Sequence, residues 1–302
     1  MTSLAAHLLN PVLRFEVKRK LARANTPETL RRAFRSPMPI PRGVRYTSSI
    51  MGGVPGEWVE PALGAPPAMT VLYLHGGGYV VCSAESHRPI TGGLATRGLR
   101  IFAADYRLAP AHPFPAAVDD AEAAWSGLIR QGHDPASLAI AGDSAGGGLA
   151  LALALRIREA ATPMPARLLL FSPWTDLAAT GASIVENARR DPMIKASRLA
   201  DGARPYLAGA DPRNPLASPL YADLAGLPPM LIHVGAREVL RDDSVRLHEK
   251  ALHQGVASLL RVWPVVPHVW PMFHAILPEG RAALDESAAF IRGAAAAPGA
   301  AR

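Results

Sequence analysis

The chain has 302 residues, 49% of them hydrophobic, with 32 Lys or Arg against 25 Asp or Glu and one cysteine. That length and apolar content suit one α/β domain with a substantial core. No uninterrupted apolar run approaches the ~20 residues that cross a bilayer, and no signal-peptide pattern opens the chain. Cys82 has no partner for an internal disulfide, so a reducing, cytoplasmic setting is expected.

The net charge of +7 belongs to one piece. Residues 1–42 hold nine Lys or Arg against Glu16 and Glu28, and the remainder is formally neutral. No aromatic platform is interleaved with these cations, which argues against a nucleic-acid partner. A solvated helical face is the expectation, with weak attraction to anionic membrane surfaces as the alternative and no stable membrane insertion.

In chain order, Asn10 reads as the cap of a helix that starts at Pro11. Leu9, Leu13, Val17 and Leu21 then share one stripe. Thr26-Pro27-Glu28 opens a second helix to about residue 34, and the proline-rich 36–41 ends it as a linker. Strands are expected at about 44–50, 56–60, 70–74, 100–104, 138–142, 167–172, 230–235 and 258–263. Helices at about 87–98, 115–131, 144–160, 240–254 and 279–292 alternate with them. This alternation predicts an α/β fold with a mostly parallel, doubly wound sheet. Residues 178–216 break the rhythm with helical stretches near 182–190 and 195–207 and no strand. Residues 294–302 read as a flexible small-residue tail.

Two motifs stand at the ends of predicted strands. His75-Gly76-Gly77-Gly78 follows Val71–Leu74, and its glycines free backbone N–H groups to meet a developing negative charge. Gly142-Asp143-Ser144-Ala145-Gly146 lies between a buried strand and a helix, the setting of the nucleophile elbow in α/β-hydrolases. In that arrangement the oxyanion donors are the N–H groups of Gly77, Gly78 and Ala145, with His75 holding the loop. The base must follow the serine in the chain. His268, in a proline-bounded loop after the last predicted strand, is preferred over His274. His233 reads as a sheet residue, His248 and His253 as surface residues, and Cys82 as a small buried residue.

Together with Asp105-Tyr106-Arg107-Leu108-Ala109-Pro110, His112-Pro113-Phe114-Pro115, Ser172-Pro173-Trp174, Asp191-Pro192-Met193 and Pro267-His268-Val269, these motifs resemble the hormone-sensitive-lipase-like family of bacterial esterases. The resemblance runs from about residue 45 to residue 292. It implies a serine hydrolase of short-chain carboxylic esters with an α/β-hydrolase core in residues 43–177 and 217–293. It also implies a helical cap from residues 1–42 and 178–216. Tyr79 and Trp174 are the expected walls of the substrate pocket. Where the family carries an aspartate, this chain has Glu238, with Asp242 and Asp243 as alternatives for the acid. No metal or organic cofactor is expected, and a homodimer is left open. The rival readings are a small-molecule-binding protein on the same fold, or an amidase or transacylase using the same residues.

Overall fold

The short apolar runs become one sheet. The computed structural model describes residues 2–23, 26, 29, 38–64 and 67–293. Its strands are β1 Val44–Met51, β2 Val54–Pro61, β3 Thr70–Leu74, β4 Arg100–Ala104, β5 Leu138–Asp143, β6 Arg167–Phe171, β7 Met230–Gly235 and β8 Ser258–Trp263. They lie in the order β1-β2-β4-β3-β5-β6-β7-β8. β2 is antiparallel to β1 and β4, and the other pairs are parallel. Every residue of β3, β5 and β7 is buried, because helices cover both faces of a parallel sheet.

The helices are α1 Leu4–Leu13, α2 Arg19–Arg23, α3 Arg88–Ala95, α4 Ala116–Arg130, α5 Ala145–Glu159, α6 Ser183–Glu186, α7 Leu199–Leu207, α8 Arg241–His253 and α9 Pro278–Ile291. α5 follows β5 directly and lies in the largest apolar cluster, packed on β5, β6 and β3 beside α4. The opposite face of the sheet packs on α3 and α9. Loops at the C-terminal ends of β3, β5, β7 and β8 carry the motif residues, as expected of a doubly wound sheet.

The N-terminal segment departs from expectation. Its helix starts at Leu4, not Pro11, and continues through a π-helical stretch, Arg14–Lys18, into α2. Ser3 is the cap. Its Oγ accepts from Ala6 N–H at 3.1 Å, while its own N–H and hydroxyl donate to the Glu279 carboxylate at 2.6 and 2.8 Å. Asn10 is buried and donates from Nδ2 to the Val265 carbonyl at 3.3 Å, so tertiary contact claims the side chain that local rules assign to capping. Leu9, Leu13 and Val17 pack on Val266, Trp270, Phe273 and Leu277 as a separate apolar cluster. Lys18 Nζ donates to the carbonyls of Ala188 and Asp191 at 3.0 and 2.7 Å, which ties this helix to the 178–216 interval. The helix expected at 182–190 shortens to α6, because Asn187 and Asp191 turn inward to bind backbone instead of continuing it. Apart from Thr26 and Thr29, the second N-terminal helix lies outside the described residues, as does the 294–302 tail.

Candidate active site

The site begins with a turn that only certain residues permit. Ser144 sits between β5 and α5 at φ 52°, ψ −122°, a conformation that side-chain-bearing residues rarely adopt. A Cβ on Gly142 would land on the Gly146 carbonyl, and one on Gly146 would land on the Leu74 carbonyl. Glycine at both positions is what lets strand and helix approach closely enough to make the turn. The backbone of Ser144 is held on both sides. Its N–H donates to Phe171 at 2.9 Å, and its carbonyl accepts from Trp174 at 2.8 Å.

Ser144 Oγ lies 2.9 Å from His268 Nε2, and His268 Nδ1 lies 2.6 Å from Glu238 Oε2. Oε1 of the same carboxylate accepts from Gly235 N–H at 2.5 Å and from Ser172 Oγ–H at 2.8 Å. Ser172 Oγ in turn accepts from Val269 N–H at 3.2 Å, so one hydroxyl ties the acid to the residue after the imidazole. Burial pushes the Glu238 carboxyl up, while the His268 imidazole and the Gly235 N–H act against that push. Burial also works against charge on His268, but the facing Glu238 outweighs it and holds the imidazole above its ordinary value.

The loop of Glu238 is fastened from the 178–216 interval. Asn187 Nδ2 donates to the carbonyls of Ala236 and Glu238 at 3.0 and 2.8 Å. Val239 N–H donates to Asp191 Oδ2 at 3.0 Å, and Ser183 Oγ–H donates to the Val239 carbonyl at 2.7 Å. Asp242 and Asp243 point elsewhere. Asp242 Oδ2 accepts from Ser183 N–H and its Oδ1 pairs with Arg241. Asp243 is buried and accepts from the N–H groups of Thr175 and Asp176. Burial raises its carboxyl to about 7. These two are therefore structural anchors rather than ordinary first-turn helix carboxylates.

The glycine loop after β3 is held by Asp143. Asp143 Oδ1 accepts from Gly76 N–H at 3.1 Å and Tyr73 O–H at 2.6 Å, and Oδ2 faces His87 Nε2 at 3.3 Å. Burial favours the neutral forms of both partners. Their mutual attraction outweighs it, holding Asp143 below and His87 above the ordinary values. Gly77 and Gly78 take φ 113° and 63°, and among the hydrogen bonds of the described residues none uses the N–H of Gly77, Gly78 or Ala145. The His75 ring bonds only the adjacent Gly76 carbonyl, at 2.7 Å, and stacks on Tyr106 at 4.3 Å. The loop is braced at that residue by Tyr106 O–H donating to the His75 carbonyl at 2.5 Å. Burial and the neighbouring His87 depress the imidazole to about 3, so it stays neutral. Chain order removes His87 from the search for a base, and its partnership with Asp143 appears only in three dimensions. Its one sequence signal is its place at the start of the helix that follows the glycine loop.

A cavity of about 1260 Å³ opens over Ser144 and His268. Its walls include Gly77, Gly78, Trp174 and Leu240 from the sheet side, and Leu9, Leu13 and Val17 from the N-terminal helix. Trp174 is where the sequence puts it. Tyr79 is a correction: it takes a left-handed φ of 63° and stacks flat on Tyr206 at 3.7 Å, behind the wall rather than in it. The other histidines stand apart. His233 is buried between Trp263 Nε1, which donates to it at 3.1 Å, and Ser287 Oγ at 3.2 Å. Cys82 borders the cavity, and burial pushes its thiol up to about 12, so it is not a thiolate.

Residues 71–272 match the protein family described by the alpha/beta hydrolase fold. Over 220 residues the chain is 46% identical to an acetyl-hydrolase of Streptomyces hygroscopicus, covering 72% of this chain and 73% of that protein. A solved structure of an esterase from the bacterial hormone-sensitive lipase family is 41% identical, with TM-score 0.91, covering 97% of this chain and 99% of that one. The structure of the esterase EstE5 soaked with p-nitrophenyl butyrate is 40% identical at the same TM-score of 0.91 and the same coverage. The chain thus belongs to the α/β-hydrolase fold family, in its hormone-sensitive-lipase branch.

Proposed function

We propose that this protein is a carboxylesterase that cleaves short acyl esters through an acyl-enzyme. The observation that carries the reading is the unbroken contact from Ser144 Oγ through His268 to a buried, hydrogen-bonded Glu238. In this reading Ser144 attacks the ester carbonyl as His268 takes its proton. Glu238 holds the imidazole tautomer and stabilises the imidazolium. Gly77, Gly78 and Ala145 donate to the oxyanion from N–H groups that have no other partner among the described hydrogen bonds. His268 then protonates the leaving alcohol, and the same imidazole activates water to release the acid.

Residues 1–42 and 178–216 act as a cap in this reading, since both line the cavity and Lys18 joins them. The cavity as a whole is larger than a small ester needs. The short-chain preference rests on the wall beside Ser144, where Trp174 is fastened to the Ser144 carbonyl. The names of the relatives, an acetyl-hydrolase and an esterase soaked with a butyrate ester, agree with it. The complete proton relay also weighs against a purely ligand-binding role.

The test is chemical. A fluorophosphonate should modify one residue, Ser144, and p-nitrophenyl acetate or butyrate should turn over faster than longer esters or the matching anilides. Labelling at Cys82, or preference for the anilide, sinks the reading.

A further inference from the structure

Helix α1 buries one face and leaves another apolar face bare. Ala6, Asn10 and Leu13 are buried, whereas Leu4, Leu8, Val12 and Phe15 are 73%, 64%, 55% and 62% exposed. Their spacing of four, four and three residues puts them on one side of the helix. Large side chains exposed singly are ordinary, but four in one stripe form a patch that wants a partner. The stripe is bordered by cations. Arg14, Arg19 and Arg23 are exposed, and the Arg19 guanidinium lies 4.7 Å from the Phe15 ring centroid. Glu16, the acidic residue of this segment, is taken up by Lys20 at 2.6 Å. The stripe also runs to the mouth of the cavity, because Val12 belongs to both and the half-exposed Ile276 lines the same opening.

We infer that this face docks reversibly on an anionic phospholipid surface, seating the mouth of the cavity against the lipid. An amphipathic helix whose apolar side is flanked by Arg and Lys lies in the interfacial plane, its apolar residues among the acyl chains and its cations at the headgroups. Charge complementarity selects this partner over a second copy of the chain. A two-fold contact through the stripe would bring Arg14, Arg19 and Arg23 of both copies together, with their one nearby carboxylate already paired. The structure has no helix among the described residues long and apolar enough to cross a membrane, so the contact is peripheral. A docked enzyme would receive apolar esters from the lipid phase directly at the cavity.

The experiment uses the full chain carrying Ser144→Ala, which leaves vesicle lipids intact and makes binding independent of any turnover. Failure here therefore leaves the esterase reading untouched, and the reverse holds. Co-sedimentation is measured with vesicles of phosphatidylcholine alone and of equal parts phosphatidylcholine and phosphatidylglycerol. Binding should favour the anionic vesicles and weaken as salt rises. Leu4→Ser/Leu8→Ser/Phe15→Ser should lower the partition coefficient at least about tenfold. Arg19→Gln/Arg23→Gln, which leaves the apolar stripe intact, should lower it about fivefold or more. Circular dichroism melting confirms that each variant is folded. The inference is overturned if anionic vesicles leave the protein in the supernatant, or if folded variants of both kinds bind like the parent. It is equally overturned if sedimentation velocity reveals a dimer that the triple serine variant abolishes, for the stripe would then be a self-association surface.

Discussion

The elbow at Ser144 and helix α1 border one cavity and are held in opposite ways. The elbow is fixed on every side: Ser144 is hydrogen-bonded through its N–H, carbonyl and hydroxyl. Left-handed non-glycine conformations gather around it, at Tyr79, Cys82, Ser144, Ser172 and Val269. Such residues cost on the order of 1–3 kcal/mol each and persist only where surrounding structure over-determines them. α1 and the π-helical stretch after it rest on one apolar face and a few anchors, at Ser3, Asn10, Arg14 and Lys18. The difference teaches that positional accuracy is built where the sheet can enforce it, whereas access is left to elements that few bonds restrain.

The sharpest way to break that contrast is at the elbow. Ser144→Ala should lower kcat on the order of 10⁴-fold or more while leaving the melting temperature close to that of the parent. A variant keeping a tenth of the activity would place the nucleophile elsewhere. Glu238→Gln should cost roughly 10²- to 10⁴-fold, since the amide preserves shape and hydrogen-bond count but loses the charge that the imidazolium needs. The same substitution should move the acid limb of kcat/KM. In the proposed relay His268 must be neutral to act as base, and Glu238 holds it above its ordinary value, so activity should appear only as pH rises through that raised value. Without the carboxylate, burial dominates and the limb should shift to lower pH. An unmoved limb in a pH–rate profile would mean that another group sets it.

A milder perturbation reaches the site through the glycine loop. His87→Asn removes the imidazole that faces Asp143, whose other oxygen holds the Gly76 N–H, and should lower kcat roughly ten- to a hundredfold with little change in KM. A rise in KM alone would assign His87 to substrate binding instead. The smallest effect belongs to α1. Ser3→Ala removes a cap and the hydroxyl bond to Glu279, keeping the backbone N–H bond, and should cost about 1 kcal/mol in denaturant unfolding while kcat on a water-soluble ester stays within about twofold. A large loss of kcat would show that α1 is coupled to the elbow after all.

The same contrast governs what could be read from sequence. All eight strands fall within two residues of expectation, most sharply in the centre of the sheet, where parallel strands buried on both faces appear as short, continuous apolar runs. Ser144, His268 and Glu238 stand at strand ends, where motif and chain order constrain them, and they come together in space. The start of α1 was hidden because Asn10-Pro11 is a strong local start signal, and only the distant Val265 carbonyl explains why Asn10 faces inward. Tyr79 was misplaced for a similar reason: its partner, Tyr206, is more than a hundred residues away. The brace from Ser172 to both Glu238 and Val269 joins three segments, and no periodicity records such a junction.

The straps from Ser183, Asn187 and Asp191 to the turn of Glu238 bear on how specificity could be transplanted between relatives. Met193 and Ile194, two and three residues past the last strap, already line the cavity. Whoever exchanges the 178–216 interval to obtain a new substrate profile therefore also exchanges the fastening of the acid. A graft that begins after Asp191 and keeps Tyr206, the stacking partner of Tyr79, would leave all three straps in place while altering the cavity wall. One that begins earlier would have to reproduce all three straps, or its loss of rate would be mistaken for a change in preference.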